Sequence, residues 1–255
     1  MKEVVVVTGA GSGIGRAIAL EFASGGAVVA VVDIDAAAAR ATHELISAQG
    51  GTAEVRVTDV SNPASVEQLA KHVQTTLGPA TTLVNNAAIQ VNASVEHTSY
   101  EDWRRVVDVN FGGVFLCSKL FLPQLRATRG SIVNLSSVNG FFAEPGCAVY
   151  SATKAAIIGL TRAMAIDHGR EGIRVNCVCP GYVDAGLAAG YFAAQPDPQA
   201  ARQAAGGLHA LNRIAEPQEI ARAVRFLAGS QASFVTGTQL VVDGGFSVGL
   251  PGALP

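Results

Sequence analysis

The chain has 255 residues, of which 49% are hydrophobic and only 15% charged, with a net charge of −2 and a pI near 6.2. Length alone allows one large domain or two small ones; no linker-like stretch divides the chain, so a single domain over residues 1–255 with a sizeable core is expected. The even charge balance, without a Lys/Arg cluster that could follow a phosphate backbone, argues against nucleic acid as a partner.

The first residues, Met1 to Val7, are briefly apolar and run straight into glycines, which reads as a first strand and not as a secretion signal. Further strands are predicted at 28–33, 54–58, 82–85, 131–136, 174–178 and 239–242, after the first at 4–8. Between them, Ala/Leu-rich stretches predict helices at about 13–24, 35–49, 63–77, 99–126, 150–170 and 217–228. Ser61-Asn62-Pro63 and Glu216-Pro217 place proline where a helix begins, the position at which its missing N–H costs least. Several strands are apolar at consecutive positions, as strands covered by helices on both faces should be. The alternation predicts an α/β protein with a doubly wound parallel sheet of about seven strands. The stretch 182–212 breaks the rhythm with Gly186, Gly190, Pro196, Pro198, Gly206 and Gly207, and is expected to be an irregular loop covering a substrate, with a mobile tether as the alternative.

No run is seen to approach the roughly 18 apolar residues of a membrane span. A soluble, cytoplasmic protein without membrane contact is expected. Cys117, Cys147, Cys177 and Cys179 stand singly or as C-x-C, which suits reduced structural thiols. His97, His168 and His209 fall at no ligand spacing, so no catalytic metal is expected.

Two motifs carry the chemistry. In Thr8-Gly9-Ala10-Gly11-Ser12-Gly13-Ile14-Gly15, small residues follow a strand and open a helix, so the backbone can approach a pyrophosphate and the helix N-terminus offers free N–H groups. Asp33 ends the second strand, where its carboxylate can accept from the ribose hydroxyls of a dinucleotide and would repel a 2′-phosphate. Neither Ile34, Asp35 nor Ser12 brings a positive charge, so NAD is favoured over NADP. In Tyr150-Ser151-Ala152-Thr153-Lys154, tyrosine and lysine lie four apart on one helix face. A neighbouring ammonium should lower the phenol from its free value of ~10 and fit it to exchange a proton with an alcohol oxygen.

These landmarks, with others in order behind them, resemble the short-chain dehydrogenase/reductase family from Val4 to about Ser247. The resemblance implies a Rossmann-type fold and assigns further positions. Asp59-Val60 would flank the adenine, Asn85-Asn86-Ala87-Ala88 would steady the central strand beside the cofactor, and Pro180-Gly181-Tyr182-Val183 would lie against the nicotinamide. Gly9, Ser12, Gly13, Ile14, Gly15 and Asp33 would complete the cofactor set, with Tyr150 and Lys154 at the nicotinamide ribose. Asn110, Ser137, Tyr150 and Lys154 would form a catalytic tetrad: Ser137 orients substrate, Tyr150 is the acid/base, Lys154 tunes it, and Asn110 holds a relay water. Ser137 is preferred to Ser136 on its spacing of 13 residues from Tyr150.

The chain departs from the family pattern at Ala88, in place of a glycine, and at Ala185, where a threonine would hold the nicotinamide carboxamide. Asp184 or backbone groups are expected to compensate there. A glycine is also missing from Arg213-Ile214-Ala215-Glu216-Pro217, which concerns loop geometry. The resemblance further implies a homotetramer with interfaces at the Asn110 and Tyr150 helices and near the C-terminal strand, and the apolar tail from Phe246 to Pro255 suits burial between subunits, with a disordered tail as the alternative.

The reading is an NAD-dependent oxidoreductase interconverting a secondary alcohol and a ketone in a small molecule. An NADPH-dependent 3-ketoacyl-type carbonyl reductase and a non-catalytic nicotinamide-binding scaffold are the alternatives. Phe141, Phe142, Glu144, Pro145 and Cys147, with Leu187, Tyr191 and Phe192, suggest a partly apolar substrate pocket; the two phenylalanines equally suit a core or an interface, and Glu144 is either a selector of hydroxylated substrates or a solvated loop residue.

Overall fold

In the computed structural model, which describes residues 2–249, seven strands alternate with helices. They run β1 (Val4–Thr8), α1 (Gly13–Ser24), β2 (Val28–Asp33), α2 (Ala36–Ala48), β3 (Thr52–Val57), α3 (Pro63–His72), β4 (Thr82–Asn85), α4 (Tyr100–Val107), α5 (Gly113–Thr128), β5 (Ser131–Leu135), α6 (Ala148–His168), β6 (Arg174–Pro180), α7 (Gly186–Ala193), α8 (Pro198–Gly207), α9 (Pro217–Ala228) and β7 (Gln239–Val242). The strands form one sheet in the order β3-β2-β1-β4-β5-β6-β7, and every pairing is parallel. The order reverses between β1 and β4, and such a switch opens a crevice at the carboxyl ends of the strands.

The consecutive valines of β1 are explained by burial on both faces. Val5 and Val7 join Phe22 of α1 and Ile220 and Val224 of α9 in one core. Val4 and Val6 join Leu69 of α3 and Phe121 and Leu125 of α5 in the other. Burying a side chain such as Phe22 or Phe121, both 0% exposed, stabilises the fold by about 1.5–3 kcal/mol. Helix starts follow their caps. The Asp35 carboxylate accepts from the N–H groups of Ala37 and Ala38, Asn62 accepts from Ser65 N ahead of Pro63, and Glu216 and Glu219 form a capping box around Pro217.

The structure differs from the sequence expectations in four places. The predicted helix 99–126 is interrupted by a π-helical turn, Asp108–Gly112, and that at 63–77 ends in another, Val73–Leu77; an extra residue per turn leaves no trace in a periodic pattern this short. The stretch 182–212 is not irregular: it holds α7 and α8, the second opened by Asp197, which accepts from the N–H groups of Gln199 and Ala200 with Pro198 behind it. Its glycines at 190, 206 and 207 are tolerated inside or at the ends of these helices. Contrary to the expectation for apolar runs, the stretch Tyr100–Thr128 is long and apolar enough to cross a membrane by length and composition; here Cys117, Phe121 and Leu125 of this stretch pack into the core against the sheet. The tail begins by folding back: Phe246 is buried against Phe142, Tyr182 and His209, and its final residues, Leu250 to Pro255, lie outside the described residues.

Candidate active site

At the switch point the glycine loop joins β1 to α1. Gly9 and Gly13 have φ of +63° and +54°, which favours glycine. At Gly15 a Cβ would stand 2.1 Å from the Gly9 carbonyl oxygen, so only glycine fits. The loop is held from several sides. Asn86 Nδ2 donates to the carbonyls of Thr8 (2.9 Å) and Gly9 (3.0 Å), Thr42 Oγ1 donates to Ala10 O at 2.9 Å, and the Arg16 guanidinium donates to Gly11 O. Ser12, the N-cap residue, makes no side-chain cap, so the N–H groups of the first turn of α1 face the crevice uncapped.

Asp33 ends β2 beside this loop. Its Oδ2 accepts from Gly11 N at 2.8 Å and its Oδ1 from Asp35 N at 3.0 Å. Asp59 sits in a turn after β3 in which its Oδ1 accepts from Ser61 N (2.9 Å) and Ser61 Oγ (2.6 Å), with Val60 next to it at 7% exposure.

One cleft of about 810 Å³ runs from this end to the helix α6. Gly9, Ser12, Gly13, Ile14, Gly15, Asp33, Asp59, Val60, Asn86, Pro180, Gly181 and Val183 line it, as do Ser137, Tyr150 and Lys154. Of the residues expected to form the substrate pocket, Phe141, Phe142 and Phe192 are absent from its wall, and of the expected tetrad Asn110 is absent. It is fully buried in the π-helical turn, where Oδ1 accepts from Ile89 N at 2.8 Å and Nδ2 donates to Ile89 O (2.9 Å) and Thr153 Oγ1 (3.3 Å). The two serines separate cleanly. Ser136 Oγ donates to the Lys154 carbonyl at 2.8 Å, while Ser137 places its hydroxyl beside the Tyr150 phenol.

The expected tuning of the phenol by lysine is not what this geometry produces. Lys154 Nζ donates to the Leu135 carbonyl at 2.7 Å and lies 5.4 Å from the centre of the Tyr150 ring. Burial raises the Tyr150 phenol above its usual value, the Ser137 hydrogen bond pulls the other way, and the charge of Glu144 adds to the rise. Burial also lowers the Lys154 ammonium from 10.5 to about 8. A second correction concerns Asp184, which forms an ion pair with Arg202 of α8 at 3.0 Å and does not line the cleft, whereas Ala185 does.

Two residues went unassigned by sequence reasoning. His209, 2% exposed, has Nδ1 2.8 Å from the Ala205 carbonyl, so that nitrogen carries the hydrogen and Nε2 accepts from Tyr182 N at 3.3 Å. It thus ties α8 to the Pro180-Gly181-Tyr182 segment. Asn139, 7% exposed, lines the cleft with a buried Oδ1 that has no hydrogen-bond partner. Nothing in their spacing marked either: His209 meets Tyr182 from 27 residues away, and Asn139 is buried only by the fold.

A family model described as enoyl-(acyl carrier protein) reductase matches residues 9–247. The chain is 42% identical to meso-2,3-butanediol dehydrogenase of Serratia marcescens, over 96% of this chain and 94% of that protein. It is 38% identical to L-fucose dehydrogenase of Mus musculus, over 97% and 89%. The ligand-free structure of aldohexose dehydrogenase from Thermoplasma acidophilum superposes with a TM-score of 0.90 at 36% identity, covering 100% of this chain and 97% of that one. Together with the glycine loop and the Ser137, Tyr150 and Lys154 cluster in one cleft, these likenesses show that the chain belongs to the short-chain dehydrogenase/reductase family.

Proposed function

We propose that the protein is an NAD(H)-dependent oxidoreductase that interconverts a secondary alcohol and its ketone. The observation that carries this is the shared cleft: Ser137, Tyr150 and Lys154 stand at one end of the same cavity whose other end is the glycine loop and Asp33. The names of the relatives, dehydrogenases of a butanediol and of fucose, agree with oxidation at a CH–OH group.

The wall fits NAD. Free N–H groups at the start of α1 suit a pyrophosphate. The Asp33 carboxylate stands where ribose hydroxyls donate, and a 2′-phosphate would meet it as like charge. Arg16 of α1 is turned to Gly11 O and Thr42 Oγ1. When bound, NAD supplies the hydride acceptor, so the carbinol C–H bond breaks with both electrons leaving. Tyr150 takes the O–H proton, Ser137 donates to the substrate oxygen, and Lys154 adds positive charge at the nicotinamide end. Asn110 acts as a positioning residue by holding Ile89 in the cleft wall. Because oxidation needs the phenolate and burial raises the phenol, oxidation speeds up as pH rises into the alkaline range.

Residues 182–212 cover the substrate end, and cytoplasmic location belongs to the same reading. A homotetramer is part of it too, supported by exposed Phe115 on α5 and Ile166 on α6; light scattering reads the mass directly. The central test is fluorescence titration with NADH and NADPH, followed by turnover of secondary alcohols by the native protein and by Tyr150→Phe. Tight NADH binding, with turnover lost in the variant, is expected. Tighter NADPH binding overturns the cofactor assignment and favours a ketoacyl-type reductase; binding without turnover favours a scaffold.

A further inference from the structure

Beyond Ser137 and Tyr150, the substrate end of the cleft carries polar side chains that the hydride and proton steps do not use. They are Gln90, Asn92, Asn139, Glu144, Tyr182 and Tyr191. Glu144 is the organised one. Its Oε1 accepts from the Tyr182 hydroxyl at 2.6 Å. Tyr182 is in turn fixed by the His209 hydrogen bond to its N–H and by edge contacts with Phe246 and His209, at ring distances of 5.9 and 6.0 Å. The carboxylate is therefore held at a set orientation by the segment that covers the substrate. Its only side-chain hydrogen bond among the described residues is this one, through Oε1, which leaves Oε2 without a protein partner.

Charge narrows what that oxygen receives. The ionisable side chains on the cleft wall are Asp33, Asp59, Glu144, Lys154, Cys147 and the tyrosines Tyr150, Tyr182 and Tyr191, with no arginine among the described residues there. A carboxylate or phosphate on the substrate would face Glu144 without a free cation to offset it, since Lys154 is committed to Leu135 O. An ammonium would meet Glu144 as an opposite charge, but it would be desolvated in a cleft that already holds the buried Lys154 cation. A neutral hydroxyl meets neither obstacle. Glu144 lines the same cleft as Ser137 and Tyr150, and its charge contributes to raising both the Tyr150 phenol and the Cys147 thiol.

We propose that Glu144, held by Tyr182, is a specificity residue that accepts a hydrogen bond from a second hydroxyl of the substrate, so that the preferred substrates are uncharged diols or polyols. This rests on the alcohol–ketone reading above. The test compares a vicinal pentanediol, the matching secondary pentanol and the matching amino alcohol, with NAD and native protein, Glu144→Gln and Tyr182→Phe. A hydrogen bond to a charged acceptor is worth roughly a 10- to 100-fold factor. The native protein is expected to prefer the diol, and the diol-to-pentanol ratio of kcat/KM should fall about 10-fold or more in Glu144→Gln, mainly through KM. Tyr182→Phe, which loosens the carboxylate, should lower the ratio less. Equal losses on diol and pentanol, or none on either, overturn the subsite while leaving the alcohol–ketone reading in place; so does a preference for the amino alcohol that Glu144→Gln removes. Failure of the native protein to oxidise any of the three with either cofactor overturns the underlying reading and the subsite with it.

Discussion

At the cofactor end of the cleft, the glycine loop and the ends of β1 and β2 are shaped by backbone conformation: positive φ at Gly9 and Gly13, a Gly15 with no room for a Cβ, and N–H groups that face the crevice because no side chain caps them. At the substrate end the wall is assembled from side chains far apart in sequence. Tyr182 reaches Glu144, His209 reaches Tyr182, and Phe246 closes over all but the glutamate. One end is a local motif that the chain cannot vary without losing the loop. The other is a tertiary assembly in which single side chains can change while the fold stands. Such a division lets one scaffold keep its cofactor and change its substrate.

The comparison breaks first at Tyr150, the residue that joins the two ends. Tyr150→Phe should lower kcat for alcohol oxidation by about 1,000-fold and leave NADH affinity within a few-fold, as read by steady-state kinetics and fluorescence titration. An equal loss of affinity would show that the ring shapes the cofactor end as well. Gly15→Ala should weaken NADH binding by about 100-fold or lower the melting temperature, since its Cβ would overlap Gly9 O; retention of both would mean the loop is less tightly determined than its contacts indicate.

Lys154 tests the cost of placing charge between the two ends. Burial lowers its pKa from 10.5 to about 8, so below pH 8 the folded protein holds a proton at a penalty that the unfolded chain does not feel. Stability from this group is complete only above pH 10.5 and is lost as pH falls towards 8. Lys154→Met should therefore stabilise the fold at pH 7 by about 2 kcal/mol, after allowance for the hydrogen bond lost at Leu135 O, and denaturant titration should find that gain shrinking as pH rises past 8. A gain independent of pH would point to packing instead of charge. The smallest effect is expected at Asp33. Asp33→Ser should cut the preference for NADH over NADPH by about 10-fold, with little change in the choice among alcohols; a matching shift in alcohol preference would show the two ends to be coupled.

Much of the cofactor end was legible in the chain because its determinants are local. Glycines at 9, 11, 13 and 15 after a valine run, and an aspartate at the end of the next strand, state a conformation and a charge without reference to distant residues. The strands were legible for the same reason, since burial on both faces leaves an unbroken apolar run. The π-helical turn at Asp108–Gly112 was not, and it is what turns Asn110 inward to Ile89 and Thr153 and off the cleft wall. Glycines and prolines between 182 and 212 hid α7 and α8, because Pro198 behind the Asp197 cap opens α8 instead of breaking it and α7 packs along the cleft wall.

By itself, then, the sequence determined the alternation of strands and helices, the glycine loop, the acidic strand end and the placing of Tyr150 and Lys154 on one helix face, all of which follow from local conformation and short spacing. Only the tertiary structure decided which serine faces the phenol, where the Lys154 ammonium points, and that Glu144 is fixed by Tyr182. Those depend on side chains meeting across the sheet's carboxyl edge, and on a balance of burial against charge that no spacing in the chain encodes.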